Sequence, residues 1–135
     1  MKALVLDSEA ISQLARAAKG EKPCVVHTSL LAAVQADAPV LVPAVVLAEQ
    51  YRGAPHDAQI DSLLARRRSI TVVPTDRSLA KSVGNLLAKH QLGSEHHVDA
   101  TVVAVAAGGG VILTSDPGDI ARLAADLIGV VVEPL

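Results

Sequence analysis

The sequence predicts an α/β protein in which a short, mostly parallel sheet of about five strands lies between two layers of helices. Short apolar runs alternate with segments whose apolar residues recur at helical spacing, and Gly or Pro stands at many of the joins. Strands that alternate with helices pair in parallel through right-handed crossovers. The 135 residues contain no repeat, linker or low-complexity tract, so we expect one domain over residues 1–135.

The first half of the chain predicts three strands separated by helices. Ser8 follows the first apolar run and can cap the helix that carries Ile11 and Leu14. Pro43 suits the first turn of a helix, and Gly53 is a stop signal for it. The predicted elements are a strand over residues 3–6, helices from Ser8 and over 25–36, a strand over 40–42, helices from Pro43 to near Gly53 and over 56–68, and a strand over 70–73.

The second half predicts two more strands. Asp76 can act as an ordinary N-cap for an amphipathic helix that runs to His90, and the largely apolar segment 98–107 fits a buried central helix. The glycine triplet that starts at Gly108 would end this helix and reverse the chain. The remaining predicted elements are a strand over 111–113, a helix over 120–128 and a strand over 130–132.

Composition excludes several classes of binding protein. A formal net charge of −2 provides no broad attraction for a polyanion, so any contact with nucleic acid must be local. Phe and Trp are absent and Tyr51 is the single aromatic residue, so a platform on which bases stack cannot be built.

The sequence also favours a cytoplasmic protein without membrane spans. Two long uncharged stretches, residues 38–48 and 100–115, contain prolines and three glycines respectively. The apolar run before Asp7 is too short for a signal peptide. Cys24 is the only cysteine, which rules out an internal disulfide and a thiolate zinc cage, and we expect it to pack as a small hydrophobic residue.

Four carboxylates stand where a reactive crevice is expected. In open parallel sheets that crevice lies beyond the carboxyl ends of the strands, and Asp7 and Asp116 directly follow predicted strands. Glu49 and Asp99 lie on strongly apolar helices, where an acid seldom faces the core without a partner. Clustered carboxylates repel one another unless protons or a cation compensate, and hard oxygen ligands select Mg²⁺ or Mn²⁺. We therefore expect Asp7→Asn to weaken a metal response and partly to stabilise the metal-free protein.

Structural explanations remain open for these acids and for other polar residues. Asp7 and Asp116 can simply cap the helices that follow them, and Asp119 can do the same or support the pocket. The basic run that starts at Arg66 is explained by its place at a helix C-terminus. His96 and His97 diverge on a helix, so we interpret them as loop or helix-start residues. The apolar segment 25–36 packs in the core or against a partner.

Four segments together resemble a PIN domain, and within that family the VapC-type toxins of type II toxin–antitoxin systems. The resemblance spans essentially the whole chain, and its C-terminal Thr-Ser-Asp segment is the most specific piece. The segments are Val5-Leu6-Asp7-Ser8, Ala48-Glu49-Gln50-Tyr51-Arg52-Gly53, Val98-Asp99-Ala100 and Leu113-Thr114-Ser115-Asp116-Pro117-Gly118-Asp119-Ile120.

The resemblance implies a three-layer PIN-like fold and a metal-dependent ribonuclease that hydrolyses phosphodiester bonds of RNA with Mg²⁺ or Mn²⁺. It also implies a homodimer and a cognate antitoxin that blocks the acidic pocket. Glu9 departs from the small residue that many relatives carry there, which affects metal binding if its side chain points inward. The implied metal-binding and catalytic residues are Asp7, Glu49, Asp99 and Asp116, and the implied supporting residues are Ser8, Ser115, Asp119 and Arg52.

Other functions fit the sequence less well. A degenerate PIN domain that only binds RNA or protein as a scaffold conflicts with the intact set of four acids. A receiver-like phosphoacceptor domain needs adjacent acids after its first strand and a late lysine, whereas this chain has Val130-Val131-Val132-Glu133 at its last strand. A phosphatase-like domain needs Asp-x-Asp, where this chain has Asp7-Ser8-Glu9.

Overall fold

The computed structural model describes residues 2–17 and 25–135. Within these ranges the chain forms five strands, seven α-helices and one short 3₁₀ helix, Ser94–His96. The strands are β1 (Leu4–Leu6), β2 (Val40–Pro43), β3 (Ile70–Val73), β4 (Gly110–Thr114) and β5 (Val130–Pro134). The helices are α1 (Ser8–Ala17), α2 (Val25–Gln35), α3 (Ala44–Gln50), α4 (His56–Arg66), α5 (Arg77–Lys89), α6 (His97–Val105) and α7 (Pro117–Ala124).

The five strands form one parallel sheet in the order β3-β2-β1-β4-β5. β1 lies at the centre, with Leu4 in register with Val40 on one side and Val111 on the other. All three residues of β1 are buried, as expected for a parallel strand covered on both faces. The predicted α/β class is confirmed, and because every strand is parallel the carboxyl ends of all five lie at one edge.

The core lies between the sheet and the helices that cover it. Ile11 and Leu14 of α1 are buried, as their helical spacing predicts. The predicted central helix is confirmed as α6, where Ala100, Val102 and Val103 are buried. None of the helices in the described ranges is long and apolar enough to cross a membrane.

The last helix begins earlier than predicted, at Pro117 rather than at residue 120, and ends at Ala124 rather than at 128. Proline is well tolerated in the first turn of a helix, so Pro117 starts α7 instead of delaying it. Ile128 is 97% exposed in the turn that leads to β5. The apolar run that suggested a longer helix therefore contains a solvent-exposed turn.

α2 is apolar on two faces. Its inner face buries Val26 and Leu30, while Val25, Leu31 and Val34 are 54%, 58% and 57% exposed. Core packing thus explains half of the apolar segment, and the other half faces outward. The predictions for Cys24 and the residues just before it lie outside the described residues.

Gly110 allows β4 to lie close to the start of β1. Its φ is +154°, and a Cβ atom at this position would lie 2.6 Å from the carbonyl oxygen of Ala3. Gly108 has nothing within 4 Å of the equivalent position. The predicted chain reversal is confirmed, and the positive φ of Gly109 (+110°) and of Gly110, but not Gly108, requires glycine there.

Candidate metal centre at the carboxyl edge of the sheet

Asp7 joins β1, α1 and the segment after β4. Its Oδ1 accepts a hydrogen bond of 3.1 Å from the backbone N–H of Ala10, and its Oδ2 accepts one of 3.1 Å from the backbone N–H of Ser115. The first bond is the capping role that the sequence left open, and the second places Asp7 beside Asp116. Asp7 therefore caps α1 and also lies at the acidic edge of the sheet.

These hydrogen bonds reverse the expected effect of Asp7→Asn on stability. Both carboxylate oxygens of Asp7 accept backbone N–H groups, whereas the amide of Asn presents an N–H₂ group to one of them. Asn caps a helix about as well as Asp, so the expected loss is one hydrogen bond, and this loss should outweigh the relief of repulsion. We now expect this substitution to destabilise the metal-free protein.

Asp116 occupies the N-cap position of α7, yet its side chain makes no capping hydrogen bond. Its backbone N–H donates instead to Oγ1 of the buried Thr114, at 2.9 Å. Asp76 is different, because its carboxylate accepts from the backbone N–H of Leu79 at 2.8 Å, which confirms it as an ordinary N-cap. The carboxylate of Asp116 is thus not occupied by capping.

Asp99 lies in the first turn of α6 and is half-buried. Burial raises the pKa of its carboxyl group, and the negative charges of Asp116, Asp119 and Glu49 raise it further, while His96 opposes them. The structure therefore brings these acids close enough to Asp99 to disfavour its charged form, although they come from separate segments of the chain. No hydrogen bond to the Asp99 carboxylate is found among the described residues, which leaves its oxygens available to a cation.

His96, Asp99 and Asp119 form the tightest potential ligand group among the described residues. One ligand atom from each lies within 4.8 Å of the other two. The sequence interpretation located His96 correctly at a helix start but did not connect it with Asp99. The missed signal is the three-residue spacing from His96 to Asp99, which puts both side chains on one face of a helix. His97 is exposed, with Nδ1 3.1 Å from the carbonyl oxygen of Ser94.

Glu49 is held near the other acids by hydrogen bonds between α1 and α3. Nε2 of Gln50 donates to Oγ of Ser8 at 2.5 Å, and Oγ of Ser12 donates to Oε1 of Gln50 at 3.0 Å. Glu49 itself is exposed at the end of α3. Ser8 fixes α3 through Gln50, and its predicted support of the pocket stays a prediction. Gln50 and Ser12 were not predicted, because only contacts between helices reveal their role.

Two other predicted residues make local contacts. Glu9 accepts a hydrogen bond of 2.8 Å from the Arg16 guanidinium, so its carboxylate is paired along α1. Arg52, predicted to support the pocket, donates to the carbonyl oxygens of Ala48 and Tyr51 at 3.1 and 2.7 Å. It thereby satisfies the C-terminal end of α3, and its role toward phosphate stays a prediction. Ser115 contributes its backbone N–H to Asp7.

The segment that follows α3 is fixed by two further acids. Asp57 Oδ1 accepts from the backbone N–H groups of Arg52 and Gly53, at 2.8 and 2.9 Å. The hydroxyl of Tyr51 donates to Asp61 at 2.6 Å, and this bond raises the pKa of Tyr51 to about 12. Arg66 ends α4, and Arg67 lies 2.9 Å from the ring of His27, in keeping with a structural role for the basic run.

The donor set fits a divalent cation. Carboxylate oxygens are the ligands that Mg²⁺ and Mn²⁺ favour, and the mutual repulsion of Asp99 with its neighbours would be relieved by a positive ion. Asp99 and Asp119 offer ligand atoms within 4.8 Å of each other. Asp116 and Glu49 lie near enough to raise the pKa of Asp99, whereas Asp7 is linked to this group through the backbone N–H of Ser115. Such an arrangement can position a water molecule and a phosphate group on the same ion.

Residues 4–126 match the family model described as the PIN domain. The chain therefore belongs to the PIN family, whose members are nucleases that use divalent metal ions. No curated protein matches the chain.

Solved structures share the fold at low sequence identity. A chain of VapBC2 from Rickettsia felis, bound to a DNA fragment from its promoter, has a TM-score of 0.68 and 13% identity, with 98% of each chain covered. A chain of DNA-bound VapBC from Salmonella typhimurium has a TM-score of 0.65 and 15% identity, covering 99% of this chain and 98% of its own. FitAB bound to an IR36 DNA fragment gives a TM-score of 0.61 and 20% identity, covering 97% and 94%.

Proposed function

We propose that this protein is a ribonuclease that requires Mg²⁺ or Mn²⁺, and that it is the toxin of a toxin–antitoxin pair. The observation that carries the nuclease proposal is the convergence of acids from separate segments at one edge of the sheet. Asp99 is disfavoured in its charged form by Asp116, Asp119 and Glu49, and Asp7 is tied to the segment that carries Asp116. Membership of the PIN family supports the same chemistry.

Asp7, Glu49, Asp99 and Asp116 are the proposed catalytic and metal-binding residues. When bound, a divalent ion supplies an activated water molecule and neutralises charge on the leaving oxygen. Asp99 and Asp116 present carboxylates that no capping bond occupies among the described residues. Asp7 keeps its carboxylate in place through two backbone N–H groups. Asp119 adds a carboxylate from the first turn of α7.

A protein partner is proposed on two grounds. VapBC and FitAB, which share the fold, are described as two-component complexes on DNA, which supports a cognate antitoxin here. The outward face of α2 also exposes Val25, Leu31 and Val34, the kind of apolar surface that proteins bury in an interface. A homodimer is part of the same proposal.

Metal-dependent cleavage of RNA tests the proposed function. Protein purified free of any partner should cut a structured RNA in Mn²⁺ or Mg²⁺, and excess chelator should lower the rate at least about a hundredfold. Adding the ion back should restore the rate, and duplex DNA of the same sequence is the substrate control.

Two outcomes would redirect the proposal. Cleavage that continues unchanged in chelator would place the chemistry outside the acidic cluster. RNA binding without any cleavage, in protein that demonstrably holds the ion, would favour the scaffold alternative.

A further inference from the structure

His96 brings an imidazole ring to the acidic cluster. One of its ring nitrogens lies within 4.8 Å of carboxylate oxygens from both Asp99 and Asp119. We propose that His96 supplies a nitrogen ligand to the divalent ion, alongside the carboxylates of Asp99 and Asp119. This inference rests on the proposed function, because the ion is the same one.

The local backbone presents His96 to the cluster. His96 ends the 3₁₀ helix, its backbone N–H donates to the carbonyl oxygen of Gly93 at 3.2 Å, and α6 begins at the next residue. α6 follows His96 without a break, and a ring nitrogen of His96 lies within 4.8 Å of a carboxylate oxygen of Asp99, three residues on. α6 packs against α7, which brings Asp119 to the same pair.

The spacing of the three ligand atoms suits one ion. Metal–ligand distances near 2.1 Å in octahedral geometry put ligand atoms about 3 Å apart when adjacent and about 4.2 Å apart when opposite. The three ligand atoms all lie within 4.8 Å of one another, so small side-chain rotations are enough to reach these spacings. Each of the three residues is half-buried, so the ion would keep water on its open side.

The one ion pair of the His96 ring among the described residues is weak. Nε2 lies 3.7 Å from Oε1 of Glu95, whose side chain is 72% exposed. Such exposed pairs contribute little to stability. Glu95 therefore does not prevent the imidazole from binding a metal ion.

A nitrogen ligand changes the metal preference of an acidic site. Mg²⁺ strongly prefers oxygen ligands, whereas first-row transition ions such as Mn²⁺ accept imidazole more readily. His96→Ala should therefore weaken Mn²⁺ binding about tenfold or more. Even the loss of a residue that only hydrogen-bonds to a metal ligand lowers metal affinity by about this factor. Mg²⁺ binding should weaken less, so the preference for Mn²⁺ over Mg²⁺ should fall.

Pulsed EPR of bound Mn²⁺ tests this proposal directly. A ¹⁴N modulation should be present in the full-length protein, absent in His96→Ala and retained in His97→Ala, which removes the exposed neighbouring imidazole. Calorimetric titration of Mn²⁺ and Mg²⁺ into the same proteins should show the change in preference, and circular dichroism checks that each variant is folded.

The outcomes separate this proposal from the nuclease proposal. Tight Mn²⁺ binding without ¹⁴N modulation, or modulation that persists in His96→Ala, would overturn the role of His96 and leave a carboxylate-only nuclease site. Failure of the protein to bind Mn²⁺ or Mg²⁺ at all, with RNA left uncut, would overturn both.

Discussion

Asp99→Asn should lower metal-dependent RNA cleavage at least about a hundredfold, because removal of a direct ligand should cost at least as much as removal of its supporting partners. The same substitution should raise the melting temperature of the metal-free protein. The pKa of Asp99 is raised in the folded state by burial and by three neighbouring carboxylates. A raised carboxyl pKa means that the fold opposes ionisation, so stability is lost as pH rises through the folded pKa. Asn carries no charge and escapes this loss.

The measurement is single-turnover cleavage in saturating Mn²⁺, together with thermal melts in chelator at acidic and neutral pH. The gain in stability of Asp99→Asn over the unmodified protein should be small at acidic pH and larger at neutral pH. Asp76→Asn is the matched control, because Asn is about as good an N-cap as Asp and Asp76 lies outside the cluster. Cleavage within a factor of about three of normal would remove Asp99 from the site.

Asp7→Asn should also abolish most cleavage, but it should destabilise the metal-free protein. Its two oxygens accept backbone N–H groups of Ala10 and Ser115, and Asn would turn an N–H₂ group toward one of them. The lost hydrogen bond costs about 1 kcal/mol, and the lost charge at the start of α1 removes a favourable interaction with the helix dipole. The same Asp-to-Asn substitution is thus expected to destabilise the metal-free protein at Asp7 and to stabilise it at Asp99.

Denaturant unfolding in chelator measures this second effect, with Asp99→Asn as the comparison. A lower denaturant midpoint for Asp7→Asn than for the unmodified protein is the result expected if the hydrogen bonds that Asp7 accepts stabilise the fold. A higher midpoint would mean that carboxylate repulsion dominates at Asp7 and that its capping contribution is minor.

Much of the fold could be predicted because hydrophobic periodicity reports which face of each element is buried. The apolar run before Asp7 predicted β1, and the helical spacing of Ile11 and Leu14 predicted α1. The apolar segment 98–107 predicted α6. The helix over Pro117–Ala124 was misplaced, since Ile128 is apolar yet faces solvent in a turn. Strand order was not predicted, because it depends on packing between elements rather than on local pattern.

The convergence of acids was predictable because Asp7 and Asp116 follow strands whose carboxyl ends share an edge, and because Asp99 is the only ionisable residue between Val98 and Ser115. Its details were not. Whether a carboxylate is engaged by backbone N–H groups, as in Asp7, or left free, as in Asp116, depends on loop geometry. His96 was overlooked because it was considered only together with the adjacent His97, and its three-residue spacing from Asp99 was not considered.

The most direct test is the position of Mn²⁺ in crystals of the protein, located by anomalous scattering. We expect a peak at the carboxyl edge of the sheet, about 2 Å from oxygens of Asp99 and Asp119, with Asp116 within reach through a direct bond or one water molecule. Crystals soaked in saturating Mn²⁺ that show no peak there, or show it bound elsewhere on the surface, would contradict the claim that these distant acids share one metal ion.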